Sequence, residues 1–216
     1  MSIGATWLAV VATIAILLLY EVALLLAQRR NPAGLARSAH VTLREEWFAA
    51  LSRQPGSEIL AVQTLRNAVM AATMTASTAV LGLVGSVTLA SPSLHATFGA
   101  TVSGAPEFTA RLVLDLVLMT LLFASLVCSA MSARYYNHAG FVVSMPIESP
   151  ERMRWSVIGT SHLRRAGKLY SWGLRHLVLV GPILAAILHP AAGPVVAAVA
   201  VVILAGFDRL AGSPGP

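Results

Sequence analysis

Two carboxylates stand inside long apolar runs. Glu21 interrupts "WLAVVATIAILLLYEVALLLA" (residues 7–27) and Asp115 interrupts "LVLDLVLMTLLFASLVCSAMSA" (residues 112–133). An ionisable group in hydrocarbon is costly, so each needs a partner or a wet cavity and marks a candidate site. A third polar group opens another apolar run: "AVQTLRNAVMAATMTAS" (residues 61–77) carries Gln63, Arg66 and Asn67 at its mouth. On a helix Gln63 and Asn67 lie one turn apart on the same face. Two further polar sets flank apolar segments, Arg134 with Tyr135, Tyr136, Asn137 and His138, and Arg175 with His176. The cations within reach of Glu21 are Arg66, Arg134 and Arg175, with Arg66 the first candidate. The spacing of Arg111 and Asp115 (i, i+4) lets them pair, which accounts for Asp115 without any further function.

Other chemistries find little support. The histidines at 40, 95, 138, 162, 176 and 189 are scattered, without His-x-x-x-His or Cys-x-x-Cys spacing, so no metal site is expected. Only His138 rises above an ordinary interfacial histidine, because of Asn137 and the arginines near it. The lone Cys128 sits in an apolar run and reads as a small buried hydrophobe. A G-x-S-x-G elbow, a phosphate loop and a dinucleotide fingerprint are all missing, so neither catalytic residues nor a cofactor are expected and the chain is not read as an enzyme. Ser125, Ser129 and Ser132 share one helical face, and Ala71, Thr75, Thr78 and Gly82 another. Small residues at that spacing let helices approach closely, and they permit self-association.

The elements that must position these residues follow from composition. Of 216 residues, 56% are hydrophobic and 11% charged, with a mean hydropathy of +0.75. Those values describe a membrane protein, an all-α polytopic bundle forming one domain over residues 1–216. Spanning helices need about 20 apolar residues. The spacing predicts five spans, at about 7–27, 66–90, 112–133, 174–188 and 194–207, followed by a flexible tail over 210–216. A break at "HPAAGP" (residues 189–194) separates the last two; a four-span version, with that stretch re-entrant or one tilted helix, is the alternative. Twelve Leu, Ile and Val residues in the first run outweigh its one carboxyl. That run lacks a basic leader and is read as a retained anchor.

The net charge of +6 rests on 15 Lys+Arg against 9 Asp+Glu, and its distribution sets the orientation. Arg29, Arg30, Arg37, Arg44 and Arg53 follow the first span. Arg134, Arg152, Arg154, Arg164, Arg165, Lys168 and Arg175 follow the third, while residues 91–109 and 189–194 carry no basic residue. Basic loops stay in the cytoplasm, which puts the N-terminus outside and the C-terminus inside a bacterial inner membrane, and assigns the charge to topology rather than to nucleic acid. One or two amphipathic helices are expected on the cytoplasmic side. In residues 36–53 Leu43, Trp47, Phe48 and Leu51 share a face, the pattern of a helix lying flat on a membrane or packed on another helix. In "IESPERMRWSVIG" Ser149 is an N-cap, Pro150 the first helical residue and Trp155 an interfacial anchor. Counting along the helices brings Glu21, Gln63, Arg66, Asn67, Arg134, Tyr136, Asn137, His138 and Arg175 toward one leaflet. Snorkelling arginines and interfacial tyrosines account for part of such a set, and structural stapling for another.

"ILAVQTLRNAVMAATMTAST" and "SARYYNHAGFVVSMP", with "GKLYSWGLRHLVLVGPILAAILHPAAGP", resemble the bacterial and plant membrane family known as domain of unknown function 599. The resemblance extends from about Tyr20 to Asp208. It implies a multi-span membrane protein, with Gln63, Arg66, Asn67, Tyr136, Asn137 and His138 as matching motif positions, and it supplies no activity. Two functions are therefore carried forward. In the first the chain is a non-catalytic membrane component, a homo-oligomer or a subunit of a larger complex, contacting lipid and binding a partner or an anionic group through its cytoplasm-facing cluster. In the second it is a small ion- or proton-coupled transporter or channel using Glu21 and Asp115.

Overall fold

The computed structural model describes residues 2–30, 36–54, 56–98 and 108–209. Six helices run through them: α1 (Ile3–Arg30), α2 (Ala36–Leu51), α3 (Glu58–Phe98), α4 (Ala110–Ser144), α5 (Pro150–Leu188) and α6 (Ala192–Arg209). The described residues contain no strand. An all-α fold is what long apolar runs demand, because in hydrocarbon only a helix satisfies its backbone within its own segment. Four helices, over Ile3–Ala27, Glu58–His95, Ala110–Ser144 and Pro150–Leu188, are long and apolar enough to cross a membrane, and α6 is apolar but shorter. The tail expected at 210–216 lies outside the described residues.

Helix ends obey the capping signals. Ser149 Oγ accepts the Arg152 amide at 3.2 Å and Thr109 Oγ1 that of Leu112 at 3.1 Å, each satisfying a donor left over in a first helical turn. Gly56, at φ +85°, makes the turn that leads into α3, a conformation that costs a glycine little. Between α5 and α6 the chain turns over residues 189–191, with Ala192 N donating to His189 O at 2.9 Å.

One boundary differs from expectation. The segment opened by Ser149 is not a separate interfacial helix followed by a span from 174; it is the first part of a single 39-residue helix. At 1.5 Å per residue α5 is about 58 Å long, against a hydrocarbon core of about 30 Å. Nothing between Pro150 and Pro182 breaks it, since an interior glycine costs only about 1 kcal/mol. The apolar pattern marks where lipid would begin, whereas the backbone ladder carries on through the polar turns. Helices α3 and α4 likewise continue beyond the apolar stretches 66–90 and 112–133 into polar turns.

The contacts form two compact units, one of Met1–Asn31, Thr78–Ala124 and Arg175–Phe207, the other of Pro32–Ser77, Ser125–Leu174 and Asp208–Pro216. Helices α3, α4 and α5 contribute to both. In the first unit Val10 and Leu17 of α1, Leu114, Leu118 and Leu122 of α4, Leu179 and Ile183 of α5 and Ala197 and Leu204 of α6 form the core. Gly193 is required there by close approach: a Cβ would overlap Thr13 Oγ1 and stand 2.7 Å from Ala186 Cβ. In the second unit Phe48 and Leu51 of α2, Ala61 and Leu65 of α3, Tyr136, Ala139 and Val143 of α4 and Leu163 and Ala166 of α5 pack together. Helix α2 therefore turns much of its apolar face onto protein. Of that face only Leu43 stays exposed, at 63%.

Candidate functional site

In the first unit Arg175, on α5, donates to Glu21 Oε1 at 3.3 Å, and its guanidinium stands 5.3 Å from the Tyr20 ring centre. The Arg175 side chain is 5% exposed and that of Glu21 19%. An arginine fork suits such a pair because it stays charged and is less strongly hydrated than an ammonium. The carboxylate thus takes Arg175, not Arg66, the first candidate. Arg66 belongs to the second unit. Glu21 Oε2 is buried without a hydrogen-bond partner among the described residues. Nearby in sequence to the first of the α4 turns, Arg111 Nε donates to Asp115 Oδ1 at 3.1 Å and Oδ2 at 3.2 Å, and Arg111 also reaches Ile187 O at 3.4 Å. Asp115 is neutralised by its own helix, and that pair ties the start of α4 to the end of α5.

In the second unit α4 meets α5 along the serine face. Ser125 Oγ donates to Gly173 O and Ser132 Oγ to Ala166 O, both at 2.8 Å. All three serines are fully buried, and a Cβ at Gly173 would overlap Ser129 Oγ. Helix α2 locks onto this pair: Glu45 takes Arg164, and the Arg44 guanidinium fills the space where a Gly167 Cβ would stand. One residue outside the predicted candidates joins α5 to the ends of α4 and α2. Arg152, 3% exposed, donates to Val143 O and to Met145 O (2.9 Å) at the end of α4 and to Ser52 Oγ (3.4 Å) after α2, and stacks 5.7 Å from the Phe48 ring centre. Its guanidinium sits where the carbonyls of α4 point out unpaired and the helix dipole is negative. A signal was available: a cation in the first turn of α5 faces that helix's positive end, so only a tertiary partner explains it.

Against this scaffold α3 and α4 form a groove of about 340 Å³, lined by Val62, Leu65, Arg66, Val69, Tyr136, Asn137, Gly140, Phe141 and Ser144. Of the sequence-predicted residues it gathers Arg66, Tyr136 and Asn137. Tyr136 is 5% exposed and belongs to the core, while Arg66 and Asn137 are exposed. Arg66 forms no ion pair or hydrogen bond with another described residue, and among the described residues no carboxylate lines the groove. Its electrostatic character is therefore cationic, with the Asn137 amide and the Ser144 hydroxyl in the same lining, while the Tyr136 hydroxyl is engaged by Arg44. The remaining predicted residues lie elsewhere. Gln63, Asn67 and Arg134 are exposed outside the groove lining. His138 meets His162 with the rings tilted at 47° and centroids 5.5 Å apart, and His162 in turn lies 5.4 Å from the Tyr135 ring, whose face Arg165 covers at 5.9 Å. No group of three or more metal-ligating side chains occurs among the described residues.

A family model described as "Protein of unknown function, DUF599" matches residues 8–212. No curated protein and no solved structure matches the chain.

Proposed function

The chain belongs to the DUF599 family, and from that premise we propose a multi-span, non-catalytic protein of a bacterial inner membrane, whose groove at Arg66, Tyr136 and Asn137 receives an anionic group on the cytoplasmic side. It acts there as a homo-oligomer or as a subunit of a larger membrane complex. The observation that carries this reading is the groove's charge: among the described residues its lining holds one guanidinium with no ion pair, the neutral polar side chains of Tyr136, Asn137 and Ser144, and no carboxylate. A charged donor facing an anion makes hydrogen bonds about twice as strong as neutral ones. Orientation is supported by the arginines concentrated after α1 and after α4, with none over residues 91–109 or 189–194. The experiment is gentle extraction from native membranes of wild type and Arg66→Gln, followed by identification of what co-purifies. An anionic species or acidic partner retained by the wild type and lost from the variant supports the proposal. Identical retention by both defeats it.

A second reading, ion- or proton-coupled transport, is favoured by one observation, the buried and unpartnered Oε2 of Glu21. Against it, Glu21 and Asp115 each hold an arginine, and pairing accounts for a charge inside a span without a pathway. Flux across reconstituted vesicles that disappears in both Glu21→Gln and Asp115→Asn would establish transport and displace the first reading.

A further inference from the structure

The groove beside Arg66 has two further properties, and they narrow the kind of anion it takes. The first is its walls. Val62, Leu65 and Val69 line it from α3 and Phe141 from α4; Leu65 is buried, but Val62 is 38% and Phe141 67% exposed, so both walls present bare hydrocarbon. The second is its opening at Gly140, where an added Cβ would meet no atom within 4 Å. The lining runs from Val62 to Val69 along α3 and from Tyr136 to Ser144 along α4, a length of about 10 to 12 Å at 1.5 Å per residue. A small inorganic anion would use the guanidinium and leave that hydrocarbon bare. A neutral apolar ligand would leave the guanidinium unanswered. An amphiphile satisfies both.

We infer that the groove is a binding site for an anionic membrane phospholipid, its phosphate on Arg66 with Asn137 beside it and part of one acyl chain against Val69, Phe141 and the open space at Gly140. The inference rests on the reading of Arg66 as an anion site and adds the chain. Charge complementarity selects the head, because a zwitterionic head brings an ammonium that finds no carboxylate in the lining. The apolar walls select a lipid over a free phosphate.

The test uses the full-length protein in a neutral detergent, titrated with dioctanoyl phosphatidylglycerol, dioctanoyl phosphatidylcholine and glycerol phosphate, and read by native mass spectrometry. Three variants accompany it: Arg66→Gln removes the charge, Gly140→Leu fills the groove, and Phe141→Ala strips its wall at an exposed position. The wild type is expected to bind phosphatidylglycerol at least about tenfold tighter than either comparison ligand, a step of about 1.4 kcal/mol. Arg66→Gln should bring the two lipids level, whereas Gly140→Leu and Phe141→Ala should weaken both. Suppose instead that glycerol phosphate binds as tightly as phosphatidylglycerol, and that the Gly140 and Phe141 variants change nothing while Arg66→Gln still abolishes binding. The anion site then stands and the lipid inference is overturned. Equal binding of the two lipids by the wild type, or indifference to Arg66→Gln, overturns both.

Discussion

Replacing Arg152 with methionine keeps the aliphatic stem and removes the guanidinium, leaving the carbonyls of Val143 and Met145 and the Ser52 hydroxyl without their shared donor. Two hydrogen bonds from a charged group to carbonyls contribute about 1.5 to 3 kcal/mol each. Part of that gain is offset by desolvation of a side chain only 3% exposed, so the net loss should be about 3 kcal/mol, at the low end for a broken buried charged contact. For a chain of this size each kcal/mol moves the unfolding midpoint by about 2 to 4 °C. The variant in detergent should therefore melt about 6 to 12 °C lower, followed by circular dichroism or tryptophan fluorescence. Arg152→Lys should recover roughly half, because one ammonium keeps the charge but not the planar fork that reaches both helices. Ser52→Ala should cost no more than about 1 kcal/mol, as its bond to Arg152 is long. A midpoint within about 2 °C of wild type for Arg152→Met would refute the staple, and with it the claim that α2, α4 and α5 are joined through one side chain.

Three other outcomes follow from the geometry. Glu21→Gln and Arg175→Met should be strongly coupled in a double-mutant cycle, with a coupling energy of about 1 kcal/mol or more, because each leaves the other buried; simple additivity of the two losses would contradict the pairing. Gly173→Val should lower the melting midpoint by about 4 °C or more through overlap with Ser129 Oγ, whereas Gly181→Val, with open space around it, should not. Arg111→Gln should cost about 1 to 3 kcal/mol by the same measurement, since it leaves the Asp115 carboxylate, 8% exposed, without its charged donor, and a midpoint equal to wild type would contradict the pairing.

Much of this fold could be read from composition. The apolar runs around Glu21 and Asp115 pointed to the helices that carry them, and Ser149 and Pro150 marked the start of α5 because capping is a local property of four residues. The pairing of Arg111 with Asp115 was equally local. What could not be read was tertiary. The periodicity that placed Leu43, Trp47, Phe48 and Leu51 on one face is the same whether that face meets lipid or protein, and only the contacts of Phe48 and Leu51 decide between them. Counting residues from a boundary gave Glu21, Arg66 and Arg175 similar depths without telling which helices are neighbours. That is why Glu21 takes Arg175 while Arg66 lines a groove with Tyr136 and Asn137. The position of Arg152 in the first turn of α5 signals a tertiary partner, but that partner is a set of backbone carbonyls, which no residue type announces.

Sidedness is tested most directly by labelling with a membrane-impermeant maleimide in intact cells, in a Cys128→Ala background, with single cysteines at Gln63, near the start of α3, and at Phe108, just before α4. The proposed function requires Phe108→Cys to react in intact cells and Gln63→Cys to react only after lysis. Labelling of Gln63→Cys from outside, with Phe108→Cys protected, would place the Arg66 groove on the wrong face of the membrane and contradict the cytoplasmic anion site.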